Sequence, residues 1–176
     1  MFEAVVLIGG LGTRLKSISG STPKSMMPVA GKPFVYHLLK KLEKAGCRRI
    51  ILSLCYQADM IKQAIQTDAP VDCELIFVVE EKPLGTGGGL KLASESVSGD
   101  SFIALNGDTY CGIDYLDFYK KSLGEDLVIA GVRVQNAERY GSLNFDADYN
   151  LTYMKEKGIV GPAVINSGTY LVTKSS

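Results

Sequence analysis

The sequence predicts an α/β fold, in which a doubly wound and mostly parallel sheet carries a small antiparallel annex. Short continuous apolar runs alternate along the chain with segments whose apolar residues recur at helical spacing. After residue 135 the helical spacing ends, and short strand-like runs follow one another. Alternating strands and helices favour parallel pairing, whereas consecutive strands favour antiparallel hairpins.

The elements of the parallel part follow in order along the chain. Continuous apolar runs predict buried strands at 5–8, 50–54, 75–79, 102–105 and 127–134. Helical spacing predicts helices at 33–45, 58–65, 88–96 and 115–123. Pro33 suits the start of the first helix, and Gly46 suits the position just after its end.

The antiparallel annex is predicted from the last part of the chain. Residues 140–145 and 151–155 flank the turn-rich segment 146–150, which indicates a β-hairpin, and residues 164–172 form a further strand. We therefore expect a single domain over residues 1–176, with its α/β core at 1–135 and its annex at 136–176.

Composition excludes several classes of protein. The 19 basic residues balance the 19 acidic ones, which does not suggest broad electrostatic capture of nucleic acid. No apolar run approaches the ~18 residues of a membrane span, and the first strand begins without a signal-peptide pattern. The 4 cysteines contain no CxxC pair, so a zinc site is not expected. We therefore expect a cytoplasmic protein without a nucleic-acid or membrane partner.

A glycine-rich turn at residues 9–14 follows the first strand. Its glycines allow the backbone N–H groups to approach an anion closely. Arg14 offers a planar fork for phosphate and Lys24 a compact charge, so this stretch suits a polyphosphate. The turn lacks the Walker A pattern and the third glycine of the dinucleotide fingerprint. By itself it is also consistent with a strand-to-helix turn that binds nothing, an alternative that Arg14 and Lys24 make less favourable.

Two further polar segments follow predicted strands, at residues 80–88 and 106–109. The carboxyl ends of parallel strands meet at one edge of a sheet, where ligands bind in such folds. We therefore expect these segments to share a site with residues 9–14. Asp108 directly after a buried strand is a suitable ligand for a hard cation, although Asn-Gly-Asp is also a common turn.

The order of these motifs resembles the sugar-1-phosphate nucleotidylyltransferases. The chain carries GGLGTRL, then PK, GKP, PLGTGG, NGD, YG, EK and NSG, from residue 4 to about residue 172. Ile8 and Ser25 depart from the alanine and proline usual at these positions. The resemblance implies a Rossmann-like fold, a nucleotide-binding core at residues 1–135 and a sugar-phosphate-binding annex over the site at 136–176.

The resemblance also implies roles for individual residues. The implied catalytic residues are Arg14, Lys24 and Asp108, of which Asp108 would hold Mg²⁺. The implied nucleotide-binding residues are Leu7, Gly9, Gly10, Gly12, Thr13, Glu80, Pro83, Leu84, Gly85 and Thr86. The implied sugar-phosphate-binding residues are Asn106, Gly107, Tyr140, Gly141, Glu156, Lys157, Asn166 and Gly168.

Glu80 favours guanine as the base. Its carboxylate only accepts hydrogen bonds, and it can take two from guanine N1–H and N2–H₂, whereas uracil or thymine would oppose it with carbonyl oxygens. The expected substrates are thus GTP and a sugar 1-phosphate, for which the resemblance implies D-glycero-α-D-manno-heptose 1-phosphate. A uridylyltransferase acting on another sugar phosphate and a non-catalytic nucleotide-sensing homologue remain open, and a homo-oligomer is allowed.

The carboxyl end of the chain also departs from the family. Members usually continue beyond the NxG strand into a segment that carries a second aspartate for the metal. Here the sequence stops soon after that strand, at Ser176. The resemblance therefore leads us to expect either a chain truncated at its C-terminus or a second metal ligand that comes from elsewhere.

Overall fold

A mixed sheet forms the centre of the protein, in a computed structural model that describes residues 1–8, 22–155 and 157–174. The strands are β1 (Phe2–Ile8), β2 (Pro28–Val29), β3 (Lys32–Pro33), β4 (Cys47–Leu54), β5 (Glu74–Val79), β6 (Ser101–Asn106), β7 (Leu127–Val134), β8 (Ser142–Phe145), β9 (Leu151–Lys155) and β10 (Ala163–Thr173). In the central sheet the order is β5-β4-β1-β6-β10-β8-β9, and β7 also pairs with β10.

The parallel half of the sheet consists of β5, β4, β1 and β6. Its strands are the continuous apolar runs of the sequence, since both of their faces are covered. Along β1, Val6 packs on one face of the sheet and Val5 on the other, and both are fully buried. Parallel strands need this two-sided cover, which explains why the runs do not alternate with polar residues.

Strand β10 joins the parallel half to the antiparallel half. Its residues 169–173 pair antiparallel with β6, and Ile165 pairs with Ser142 of β8. Its other edge pairs with β7, with a register shift between Asn166 and Tyr170. The predicted α/β class is confirmed, and the antiparallel strands continue the central sheet. The boundary at residue 135 stays a prediction.

Helices cover both faces of the sheet. They are α1 (Phe34–Lys44), α2 (Ala58–Asp68), α3 (Gly85–Ser94) and α4 (Tyr115–Ser122) among the described residues. The larger core cluster includes side chains of α1, α2 and α4, while α3 packs on the opposite face through Ala93. Helix α3 begins three residues before the predicted start at residue 88, because Gly85 and Thr86 already belong to its first turn. None of the described helices is long and apolar enough to cross a membrane.

A short hairpin of β2 and β3 was not predicted. Ala30 and Gly31 form its turn with φ values of +48° and +77°, a combination typical of two-residue hairpins. The strands have two residues each, too few to produce a pattern in the sequence. His37 of α1 contacts this hairpin, with its Nε2 2.8 Å from the Val29 carbonyl oxygen. The hairpin thereby anchors the segment that follows Lys24.

The four cysteines are free thiols in the structure. Cys47 and Cys111 are buried, and Cys55 and Cys73 are half-buried. Burial raises the pKa of Cys47 to about 12 and that of Cys73 to about 11. These thiols therefore act as small apolar groups, as the sequence predicts for cysteines without a metal-binding spacing.

Candidate active site

A cavity of about 440 Å³ lies at the carboxyl ends of the parallel strands. It is lined by Leu7, Ile8, Pro23, Lys24, Ser25, Ser53, Glu80, Pro83, Gly85, Thr86, Asn106, Gly107 and Asp108. Residues from five separate parts of the sequence therefore meet here. The sequence predicts that the segments 80–88 and 106–109 meet, and both line the cavity. The third predicted segment, 9–14, lies outside the described residues.

Lys24 and Asp108 lie opposite each other in the cavity. Lys24 Nζ is 3.7 Å from Asp108 Oδ2, and the two side chains are 37% and 47% exposed. A 3₁₀-helix, Lys24–Met26, carries the lysine, and Asp108 follows β6. Because both groups remain accessible, each can exchange this long contact for a ligand. An anion would be attracted to Lys24 and a cation to Asp108.

The turn before Asp108 packs tightly on β1. The N–H of Gly107 donates to the Leu7 carbonyl oxygen at 2.8 Å. A Cβ at Gly107 would come within 2.8 Å of both that oxygen and Ile8 Cγ1. Only a residue without a side chain allows β6 to turn here, and the turn then directs Asp108 into the cavity. Ile8, a departure from the family pattern, thus packs against the turn that precedes Asp108.

The donor set at Asp108 fits Mg²⁺ brought by a nucleotide. Mg²⁺ in proteins usually takes one or two carboxylates and completes its shell with phosphate oxygens and water. Within residues 1–8, 22–155 and 157–174, no three His, Cys, Asp or Glu side chains cluster as a metal site. Asp108 supplies a single carboxylate, whose Oδ1 lies 3.3 Å from the Thr109 hydroxyl.

Glu80 closes another side of the cavity and organises the loop that follows it. Its Oε2 accepts a hydrogen bond from the Leu84 N–H at 2.8 Å. Its Oε1 lies 3.5 Å from the Ser53 hydroxyl, and a Cβ at Gly89 would come within 2.5 Å of that oxygen. One carboxylate oxygen therefore has a short internal bond, whereas the other has only a long one. A carboxylate has about four acceptor positions, so capacity remains for a ligand.

The first turn of α3 faces the same cavity. Gly85 begins the helix with a φ of +74°, a backbone conformation that favours glycine. Pro83, Gly85 and Thr86 line the cavity, whereas Leu84 is 41% exposed and contributes its N–H to Glu80. The free N–H groups of this turn favour a negatively charged or carbonyl-bearing ligand.

The predicted sugar-phosphate residues divide into two groups. Asn106 and Gly168 touch, because a Cβ at Gly168 would lie 2.6 Å from Asn106 Nδ2. The register shift between Asn166 and Tyr170 forms a bulge in β10, which we call the β10 bulge. The Asn166 side chain bridges it, because its Oδ1 accepts from the Gly168 N–H and its Nδ2 donates to the Tyr170 hydroxyl, both at 2.8 Å. Asn166 was expected to bind sugar hydroxyls, and in this structure both of its polar atoms are used internally.

Tyr140 and Lys157 lie apart from the main cavity, in a more open groove that Glu138 and Arg139 also line. Gly141 is next to this groove, and its carbonyl oxygen accepts from the Asn166 N–H at 3.1 Å. Gly141 therefore connects the groove to the β10 bulge.

Several predicted site residues cannot be placed. Gly9, Gly10, Gly12, Thr13, Arg14 and Glu156 lie outside the described residues. Conversely, Ser25 and Ser53 line the cavity and were not predicted as site residues. Ser53 carried a signal that could have been noticed, because it is a polar residue inside the apolar run 50–54.

The chain matches a known protein family over nearly its whole length. Residues 3–175 match the nucleotidyl transferase family. The chain belongs to this family. The predicted family is thereby confirmed, and with it the prediction of a nucleotidyltransferase enzyme.

Relatives within the family include guanylyltransferases. D-glycero-α-D-manno-heptose 1-phosphate guanylyltransferase of Campylobacter jejuni is 36% identical over 98% of this chain and 76% of its own length. The crystal structure of HddC from Yersinia pseudotuberculosis has a TM-score of 0.94 and 49% identity, covering 99% of this chain and 78% of that one. HddC has also been solved in complex with GMP-PN. A putative thymidylyltransferase of Bacillus anthracis, 21% identical with a TM-score of 0.86, shares the fold.

Proposed function

We propose that the protein is a sugar-1-phosphate guanylyltransferase. It converts GTP and a sugar 1-phosphate into a GDP-sugar and pyrophosphate, with D-glycero-α-D-manno-heptose 1-phosphate as the preferred sugar. Similarity to the heptose 1-phosphate guanylyltransferases supports the sugar, and similarity to HddC, solved with GMP-PN, supports the nucleotide.

The observation that carries this proposal is the meeting of three groups around one cavity. Lys24, Asp108 and Glu80 come from separate segments, and all three line the 440 Å³ space together with the first turn of α3. A cation and a carboxylate 3.7 Å apart suit a metal-bound polyphosphate, and an acceptor beside exposed helical N–H groups suits a base.

The reaction is an in-line displacement at the α-phosphorus of GTP. An oxygen of the sugar phosphate forms a bond to that phosphorus, the bond to the bridging β-phosphate oxygen breaks, and pyrophosphate leaves with the electron pair. The second pKa of a phosphate monoester is about 6, so the nucleophile is ionised at neutral pH. The chain therefore needs no general base, and its task is alignment and neutralisation of charge.

Lys24 and Asp108 share this task. We assign Lys24 to the triphosphate, where its ammonium offsets the charge that develops on the leaving group. We assign Asp108 to Mg²⁺, which would neutralise phosphate oxygens when bound. We assign Lys157, which lines the open groove, to attraction of the sugar phosphate. Arg14 retains its predicted role beside the triphosphate.

Glu80 is the proposed reader of guanine. Its Oε1 has only the long contact to Ser53 and can accept from guanine N1–H and N2–H₂. The bond from Leu84 N–H to Oε2 fixes the carboxylate at the edge of the cavity. A pyrimidine that presents a carbonyl oxygen there would leave the charge unpaired, which lowers its affinity.

The test is pyrophosphate release by the purified chain with each of the four NTPs and several sugar 1-phosphates. GTP with the heptose 1-phosphate should react fastest. Asp108→Asn should lower kcat about 100-fold or more, because a metal contributes several kcal/mol to the transition state. Asp117→Asn removes an exposed carboxylate of α4 outside the cavity and should keep wild-type activity.

Three results would overturn parts of the proposal. A preference for UTP would identify a uridylyltransferase. Nucleotide binding without turnover would identify a nucleotide-sensing protein. Full activity of a folded Asp108→Asn variant would remove Asp108 from the metal site.

A further inference from the structure

Lys41 extends from the last turns of α1 towards the loop that follows Asp108. Its amino group donates a hydrogen bond to the Cys111 carbonyl oxygen. It also lies over two aromatic rings, 4.7 Å from the centroid of Tyr110 and 4.6 Å from that of Tyr115. An ammonium over ring faces is attracted by their quadrupoles, and partial removal from water strengthens this attraction.

The environment of Lys41 agrees with such partial removal from water. Burial lowers the pKa of Lys41, while the nearby Cys111 and Asp114 oppose that shift. Its neighbours on α1 differ, since Lys40 and Lys44 are exposed to solvent. The last turn of a helix favours basic residues in general, but among these lysines only the half-buried Lys41 has these specific partners.

The loop that Lys41 contacts connects the metal-ligand turn to α4. At its start, the Gly107 N–H is bonded to Leu7 of β1. At its end, the Asp114 carboxylate accepts from the N–H groups of Leu116 and Asp117 at 2.9 and 3.0 Å and caps α4. Lys41 holds the segment between these anchors through one carbonyl oxygen and the ring of Tyr110.

Tyr110 itself is 56% exposed, so packing does little to fix it. Tyr115, by contrast, is 1% exposed and is held by the core. The ammonium therefore links an exposed ring on the loop to a buried ring of α4. This arrangement resists displacement of the backbone that carries Asp108.

We propose that Lys41 is a positioning residue, which holds the 107–114 loop so that the Asp108 carboxylate stays at the place where Mg²⁺ and phosphate would bind. The inference rests on the proposed function for its effect on metal binding. That Lys41 restrains the 107–114 loop does not depend on the proposed function.

The experiment compares Lys41→Met, Lys41→Arg and Lys40→Met with the wild type. Methionine keeps the apolar stem of the lysine and removes the charge, arginine restores a donor that stacks on rings, and Lys40 is the exposed neighbour. Hydrogen–deuterium exchange of peptides covering residues 107–114 is measured on the free protein. The Mg²⁺ concentration for half-maximal pyrophosphate release, kcat and KM for GTP are measured separately.

Lys41→Met should increase exchange in the 107–114 loop and raise the half-maximal Mg²⁺ concentration. The rise should be about tenfold, the lower end of the loss seen when a direct partner of a metal ligand is removed, because Lys41 acts on Asp108 only through the loop. Saturating Mg²⁺ should restore most of kcat. Lys41→Arg should recover part of the effect, and Lys40→Met should show none.

Wild-type exchange and Mg²⁺ dependence in Lys41→Met would overturn the inference. So would a general rise in exchange over all peptides, since that describes a loss of fold. If the wild type shows no Mg²⁺-dependent activity, the proposed function fails, while the exchange data still decide whether Lys41 clamps the loop. Tyr110→Leu, which removes the exposed ring, should shift exchange in the same direction by less than Lys41→Met, and wild-type exchange in it would contradict the role of that ring.

Discussion

The Glu80 carboxylate has one partner inside the protein, the Leu84 N–H, and we propose a second one, the base, in the cavity. Its bond from the Leu84 N–H keeps the 80–84 turn in place, and its other oxygen faces Ser53 and Gly89. Glutamine has the same shape and keeps a carbonyl oxygen that can accept from the Leu84 N–H. Replacing Glu80 by glutamine therefore tests recognition of the base while the 80–84 turn keeps its bond. It replaces one acceptor by an NH₂ donor and removes the charge.

We therefore expect Glu80→Gln to fold normally and to lose selectivity. The ratio of kcat/KM for GTP to that for UTP should fall about tenfold or more, because guanine loses a charged acceptor while a pyrimidine carbonyl gains a donor. Glu81→Gln changes the exposed neighbour in the same way and serves as the control. An unchanged ratio in Glu80→Gln would exclude this residue from base selection.

Single residues also mark the boundary of what sequence analysis could find. Glu80 and Asp108 were predicted because each follows a strand, and Lys24 because it is a basic residue shortly after the glycine-rich turn. The structure places all three around the cavity. Lys41 had no such motif, since its helical surroundings are those of an ordinary exposed lysine. Its partners lie about 70 positions away in the sequence, where only the fold brings them near.

At the scale of elements, strand β10 connects the two predicted halves of the site. Its bulge places Asn166, Ser167 and Gly168 between the pairings to β6 and to β8. Bulges bend a strand and redirect its side chains, and they recur beside active sites. Here the bulge brings Gly168 against Asn106, next to Asp108. The strand itself was predictable from its apolar run, but the register shift was not, because it depends on partners distant in sequence.

Gly168→Ala tests this connection. Gly168 has a φ of +69°, and the new Cβ would also meet Asn106 Nδ2 at 2.6 Å. We expect a loss of stability of about 1 kcal/mol or more from the backbone, and in addition a higher KM for the sugar 1-phosphate as Asn106 is displaced. Urea unfolding and steady-state kinetics measure the two effects.

The hairpin glycine Gly31 provides a matched control. Its φ is +77°, but nothing lies within 4 Å of the position of its Cβ. Gly31→Ala should therefore show the loss of stability without the kinetic effect. If both variants bind the sugar phosphate as the wild type does, the contact between Gly168 and Asn106 has no role in the site.

Across the whole molecule, the two ends of the parallel strands differ: one end forms an accessible cavity, and the other is closed by a buried carboxylate. The carboxyl ends form the cavity, where Lys24 and Asp108 stay accessible. The amino ends are closed by Glu3, which is 3% exposed and accepts from the N–H groups of Ser98 and Gly99 at 2.7 and 3.1 Å. Arg48 and Arg49 of β4 lie 3.3 and 3.4 Å from its Oε1. Glu3 thereby ties β1 to β4 and to the segment before β6.

This network predicts a dependence of stability on pH. Burial by itself raises the pKa of Glu3, but the bonds from Gly99 and Ser98 and the charges of Arg49 and Arg48 outweigh it, and the pKa is lowered below its ordinary value of 4.5. A carboxyl whose pKa is lowered by folding stabilises the native state above its unfolded pKa, and this contribution disappears as the pH falls through the folded pKa. At neutral pH the contribution is therefore complete.

Glu3→Gln should reduce the free energy of unfolding by about 1–3 kcal/mol at neutral pH, because charged hydrogen bonds become neutral ones. The free energies of unfolding of the variant and the wild type in urea should converge as the pH is lowered from neutral to below the lowered pKa of Glu3, since protonation removes the same charge from Glu3 itself. Glu74→Gln breaks the exposed pair with Arg49 and should cost less than about 1 kcal/mol. A difference between Glu3→Gln and the wild type that stays constant over this pH range would show that packing, rather than the carboxylate charge, closes the amino ends of the sheet.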